Sequence, residues 1–205
     1  WFMSAISRLI TRLSHGSGSG GVTRESILYL AKHAETIGIL EAFKFRMVRN
    51  VLRFTEVTVS AIMTHRTKIF SLDKDMSLRD AFTRITEAGY SRVPVYDGHP
   101  EHIVGIALLK NLVRRVAAGG DDEPLKTVMV EPIFVPENKR IHEMLAQFRR
   151  FGLNIAIVLD EYGGVSGLVT IEDVVEEILG EIYDEHEVQE GDKIVPLNDD
   201  NYRLI

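Results

Sequence analysis

The 205-residue chain has no cysteine, which excludes a disulfide framework and any thiolate metal site and suits a reducing cytosol. No stretch approaches the roughly 20 consecutive apolar residues that a membrane span needs. From Glu172 to Asp192 there are ten acids and not one Lys or Arg. The longest charge run therefore has the wrong sign for a phosphate backbone, which argues against nucleic acid as a partner. Catalytic patterns are missing as well. There is no P-loop, no HExxH pair among the histidines, no Ser/His/Asp arrangement and no nucleophile elbow. The chain reads as a protein that is not an enzyme.

What is present is ordinary for a globular protein: 45% hydrophobic and 26% charged residues, in a chain long enough to bury a substantial core. The net charge of -6 hides a polarity, because Trp1 to Arg66 carries nine Lys/Arg against four Asp/Glu. The acidic run reads first as a solvated helix face. At the other end, Phe2, Ile6, Leu9 and Leu13 fall on one helical face behind Trp1, with Arg8 and Arg12 elsewhere around it. This suits an interfacial helix or the cytoplasmic exit of a transmembrane segment, and equally a helix docked on its own domain. Gly16 to Gly21 (GSGSGG) is a flexible linker. A helical region follows at 22–56. Thr23 is its expected N-cap, Ile27 to Ile37 have helical spacing, and a second helix is expected from Leu40 to Phe54.

The rest is dominated by a repeat. One copy opens at Ile62-Met63, the other at Val128-Met129, and corresponding positions lie 62 to 66 residues apart. Each copy has an apolar triplet (Ile69-Phe70 with Leu72; Ile133-Phe134-Val135). Each then has an amphipathic helix (Leu78 to Ala88; Ile141 to Phe151) closed by Gly89 or Gly152. Strands follow at Val93 to Tyr96 and Ile155 to Leu159, then turns at 97–100 and 161–164. Second strands run from Ile103 to Ala107 and Val165 to Val169, and final helices from Lys110 to Ala117 and Glu172 to Leu179. Such a strand-helix-strand-strand-helix unit exposes an apolar sheet face. Two copies are expected to pack sheet against sheet in an α+β fold.

The copies match in hydrophobic outline and diverge in polar chemistry. Thr170 and Asp173 in the second copy align with Leu108 and Asn111 in the first, and Ser91-Arg92 in the first align with Asn154-Ile155 in the second. Hydroxyl and carboxylate survive in one copy and guanidinium in the other, which points to one composite ligand site. Thr170 alone is explained as a helix N-cap, and Arg92 alone as a solvated edge residue.

These residues reach a family. Ile62-Met63-Thr64, the stretch Gly89-Tyr90-Ser91-Arg92-Val93-Pro94-Val95 and the stretch Gly167-Leu168-Val169-Thr170-Ile171-Glu172-Asp173 resemble a cystathionine-β-synthase (CBS) domain pair, or Bateman module. More narrowly, residues 22–190 resemble the cytoplasmic part of the CorC/CorB and cyclin M (CNNM) magnesium transport family. The resemblance implies tandem CBS domains at 57–120 and 121–186, preceded by the helical region. It places a membrane-exit segment and linker at 1–21 and the start of a truncated β domain at 187–205. The lysine- and arginine-rich stretch from Ala31 to Arg53 departs from the acidic helical region that the family leads one to expect.

What the resemblance implies for function is a module that binds ATP with Mg²⁺ and forms a homodimer through its CBS pairs. It would regulate a transmembrane domain absent here, from the cytoplasmic side of a cell membrane. Thr64, Tyr90 and Pro94 would border the adenine, and Ser91-Arg92 would face phosphates, where a guanidinium fork fits. Thr170 and Asp173 would hold the ribose, and Glu172 would reach magnesium carried by the triphosphate. Met63 and Ile69 suit core packing at least as well as an adenine slot. Apolar helix faces around Val113, Val116, Val174, Ile178 and Leu179 exceed what one small core needs and suit a two-fold dimer. A general AMP/ADP/ATP energy sensor and a purely structural dimerisation module are the alternatives.

Overall fold

The computed structural model describes residues 23–180 and the backbone of 195–198 and 201–203. The expected interfacial helix and linker at 1–21, and most of the acidic run beyond Gly180, lie outside the described residues. Helix α1 (Arg24–Thr36) begins where Thr23 Oγ1 accepts from the Ser26 amide at 3.2 Å. Helix α2 (Ala42–Arg53) is shorter than expected at both ends, because Glu41 is already extended and Phe54 is its C-cap. Asn50 Nδ2 on α2 donates to the Ile178 carbonyl at 3.4 Å, tying this helical region to the second copy.

The first copy contains α3 (Val59–Ile62), β1 (Thr64–His65), a 3₁₀ turn (Arg66–Lys68), β2 (Leu72–Asp73), α4 (Leu78–Ala88), β3 (Arg92–Asp97), β4 (His99–Leu108) and α5 (Leu109–Ala117). The second contains a 3₁₀ turn (Leu125–Thr127), β5 (Phe134–Pro136), α6 (Ile141–Phe151), β6 (Ile155–Leu159), β7 (Val165–Thr170) and α7 (Ile171–Leu179). Strands β8 (Val195–Asn198) and β9 (Asn201–Arg203) pair as an antiparallel hairpin. The four-residue turn expected at 97–100 is tighter in the structure. Gly98 reverses the chain alone at φ +71°, bulges at Tyr96 and Asp97 take up the slack, and pairing resumes at His99.

The sheets run β1-β7-β6-β5 and β2-β3-β4. Their apolar faces meet: Ile103 and Ile106 of the smaller sheet share a buried cluster with Ile155, Ile157 and Val165 of the larger. The fold is thus α+β, with two CBS-type units packed sheet to sheet.

The sequence repeat does not show that the openings are exchanged. Strand β1 of the first copy pairs with β7 of the second, Thr64 opposite Leu168 and His65 opposite Gly167. Reciprocally, Val130 and Ile106 exchange two backbone hydrogen bonds of 2.9 Å. Val59 is fully buried among Ile141, Met144 and Phe148 of the second copy, while Leu125 is fully buried among Leu72, Leu78 and Ile85 of the first.

The paired glycines follow from this exchange. A Cβ on Gly167 would stand 2.5 Å from the Thr64 carbonyl and 2.8 Å from Met63 Sδ, and one on Gly105 would stand 2.4 Å from Met129 Sδ. Met63 therefore belongs to the packing. The helix faces expected for a dimer also need correction. Val174 is fully buried, and Ile178 and Val116 pack on the chain's own cores. The residues left facing outward are Val113, 45% exposed, and Val175, 37% exposed.

Candidate functional site

Strand β7 runs into α7 with Thr170 as the hinge between them. Thr170 Oγ1 accepts from the Asp173 amide at 3.2 Å, and Asp173 Oδ2 accepts from Thr170 N at 2.7 Å and from Thr170 Oγ1 at 2.8 Å. This reciprocal cap satisfies helix N-terminal donors and locks the carboxylate's direction. The sequence reading took Asp173 as an open carboxylate; in the structure it is half-buried, with Oδ2 committed to the cap and Oδ1 left for a ligand.

Beside this junction is a cavity of about 220 Å³. Thr64, Tyr90, Arg92, Pro94, Thr170 and Asp173 all line it. The exchange of openings creates it, because β1 brings Thr64 next to β7 while β3 supplies Arg92 and Pro94. Two expected residues lie elsewhere. Ser91 lines a different cavity, its carbonyl accepting from the Leu109 amide at 3.0 Å. The Glu172 carboxylate is outside the lining, 3.4 Å from Arg92 Nη1. The guanidinium expected to face phosphates thus already has one acidic neighbour, in a solvent-exposed and weak pair.

Residues absent from the sequence reading of the site also line this cavity. Phe70 stacks on Tyr90 with ring centroids 5.4 Å apart and planes 29° apart, making an aromatic wall. Ile69, Ile155 and Leu168 supply aliphatic surface, and Lys68 adds a cation. Lys68 closes a three-residue 3₁₀ turn that has no periodic signature in the sequence. The arrangement offers an aromatic and aliphatic slot, a directed carboxylate oxygen and two cations. That suits a ligand with a flat apolar ring, a diol and phosphates. Among the described residues, no cluster of three or more His, Asp or Glu side chains could hold a metal ion by itself.

The CBS domain family model matches residues 59–118 and 125–180. The CBS domain of a bacterial CNNM/CorC family Mg²⁺ transporter superposes with a TM-score of 0.72 at 36% identity, covering 80% of this chain and 99% of that one. The chain belongs to the CNNM/CorC family.

A second CNNM/CorC structure, the CBS domain in complex with ATP, is 39% identical with a TM-score of 0.64 and covers 67% of this chain and 97% of that one. Among curated CNNM/CorC relatives, the magnesium and cobalt efflux protein CorC of Escherichia coli is 33% identical over 184 residues, covering 90% of this chain and 62% of CorC. A UPF0053 protein of Mycobacterium tuberculosis is 31% identical over 214 residues, covering all of this chain and 49% of that protein. The chain thus spans about half to two thirds of the length of these relatives. Among its described residues no helix is long and apolar enough to cross a membrane. What the chain carries of the CNNM/CorC family is the tandem CBS regulatory module.

Proposed function

We propose that this module binds one Mg-ATP per chain in the cavity beside Thr170 and thereby regulates a magnesium-transporting membrane domain of the same protein, on the cytoplasmic side. The observation that carries the reading is the composite wall. Arg92 and Tyr90 come from one copy and Thr170 and Asp173 from the other, around a single space. The ATP complex of a similar CBS domain supports it.

In this reading adenine lies against Tyr90 and Phe70, edged by Thr64 and Pro94. Asp173 Oδ1 accepts from the ribose diol. Arg92 and Lys68 meet phosphate oxygens, which draws Arg92 away from Glu172. Magnesium fits here as an ion brought by the triphosphate, since Mg²⁺ keeps waters and takes few protein oxygens. Glu172 is the acid placed to reach it, directly or through water. The acids of α7, Glu172, Glu176 and Glu177, repel a free triphosphate, and Mg²⁺ offsets that repulsion. The conformation that holds Mg-ATP best is favoured as magnesium rises, a signal that a membrane domain can read. Two chains pair through α5 and α7, covering Val113 and Val175 in a two-fold dimer.

Calorimetric titration tests the reading. One site per chain is expected, with ATP bound more tightly in millimolar Mg²⁺ than in excess EDTA and AMP changing much less. Arg92→Leu should weaken ATP far more than AMP. Two equivalent sites per chain, or equal ATP affinity with and without Mg²⁺, would overturn it. AMP preference insensitive to Mg²⁺ would favour a general energy sensor, and no nucleotide binding at millimolar concentration a structural module.

A further inference from the structure

We propose that the larger cavity between the two copies is a second binding site, for an organic anion with an apolar body and no sugar. Its volume, about 630 Å³, is nearly three times that of the cavity beside Thr170, and lies within the about 300–1,000 Å³ usual for small-molecule sites. It occupies the position related to the nucleotide cavity by the repeat, at the start of α5 where the other lies at the start of α7.

The chemistry of its wall differs. Where Thr170 would be there is Leu108, which caps nothing, and the first turn of α5 has no acid. A ribose diol would therefore meet aliphatic surface in place of a carboxylate. Leu108, Val113, Ile133 and Leu153 make the walls apolar. The charged groups are Arg92 and Lys110 against Glu131. Lys110 is exposed and has no ion-pair partner among the described residues, and it sits in an uncapped first helical turn, where negative charge is favoured. An apolar body in the slot with its anionic head at Lys110 satisfies both parts of the wall. Arg92 and Ile155 line both cavities, so the two sites are coupled. That coupling rests on the nucleotide reading above; the anion site itself does not.

The test is an amide-resolved NMR titration of the whole chain with decanoate below its micelle-forming concentration, and with decanol as the uncharged control. Decanoate should shift the amides of Leu109, Lys110, Val113 and Leu153 and bind more tightly than decanol. Lys110→Glu should weaken decanoate about tenfold, the scale of one charge-assisted contact, with the remaining spectrum showing the variant folded. Lys44→Glu, on α2, should change nothing. Equal binding of decanol, shifts confined to other surfaces, or an unaffected Lys110→Glu variant would overturn the proposal. So would AMP shifting these amides as strongly as those around Asp173, since the cavity would then be a second nucleotide site. A failure of ATP binding with decanoate still bound would count against the nucleotide reading alone.

Discussion

Helices α5 and α7 begin in the same backbone setting. Each follows a strand paired antiparallel to its neighbour, with Arg92 opposite Leu108 in one copy and Ile155 opposite Thr170 in the other. Each first amide donates 3.0 Å to a loop carbonyl, Leu109 to Ser91 and Ile171 to Asn154. Yet α7 has the reciprocal Thr170–Asp173 cap and α5 has none. The fold therefore forms with or without the polar pair. That leaves the pair free to serve a ligand and leaves the other helix start open to a different one.

The largest expected effect lies in the glycines that precede these helices. Gly167→Ala would drive a Cβ against the Thr64 carbonyl, a backbone atom with little room to yield; a loss of about 2–3 kcal/mol is expected from overpacking. Gly105→Ala meets only the flexible side chain of Met129, and about 1 kcal/mol is expected. Urea unfolding midpoints check this, and equal losses would break the asymmetry.

Next comes the carboxylate. Asp173→Ala should lower nucleotide affinity by about 1.5–3 kcal/mol, the scale of hydrogen bonds to a charged group. Asn111→Ala should leave it unchanged, and Thr170→Ile should also weaken binding by losing the hydroxyl. Calorimetry on the three variants decides, and comparable losses at Asp173 and Asn111 would remove the distinction between the helix starts.

A smaller contrast concerns stability without ligand. Thr170→Val removes a working cap and should cost about 1 kcal/mol. Asn111→Asp adds an acid to the first turn of α5 and should gain about 0.3–1 kcal/mol. Thermal unfolding of both variants would show opposite signs.

The smallest difference is at the helix ends. Arg115 near the end of α5 is hydrogen-bonded to Glu123 through both carboxylate oxygens, the Nε contact being 2.8 Å. The last turn of α7 has no basic residue. The Arg115 hydrogen bond holds the Glu123 carboxyl below its ordinary range. A carboxyl lowered in the folded state stabilises above its unfolded pKa and loses that contribution as pH falls through the folded value. The stability gap between the parent chain and Glu123→Gln should accordingly be small at neutral pH, since the pair is exposed, and vanish in acid. A gap that grows on acidification would refute the pairing.

Much of this molecule is decided locally, and there the sequence suffices. The helices Leu78–Ala88 and Ile141–Phe151 begin and end where apolar spacing and the closing glycines place them, because Gly89 and Gly152 reach φ +74° and +65° without strain. The Thr170 cap is equally local, an interaction across three residues. The contrast between Thr170/Asp173 and Leu108/Asn111 is visible once the copies are aligned. Tertiary structure alone decided the rest. Two-residue strands such as Thr64–His65 have no periodicity to read, so nothing in the chain says that β1 crosses to the other copy's sheet. Packing settles it, as Met63 and Met129 cover the bare backbone of Gly167 and Gly105. That crossing is what sets Thr64 beside Thr170 and brings in Lys68 and Phe70, which no motif announced. The pairing of Arg92 with Glu172, 80 residues apart, is likewise set by how the sheets meet. Spacing along a chain specifies which face a side chain occupies; which faces meet depends on burying both apolar sheets at once.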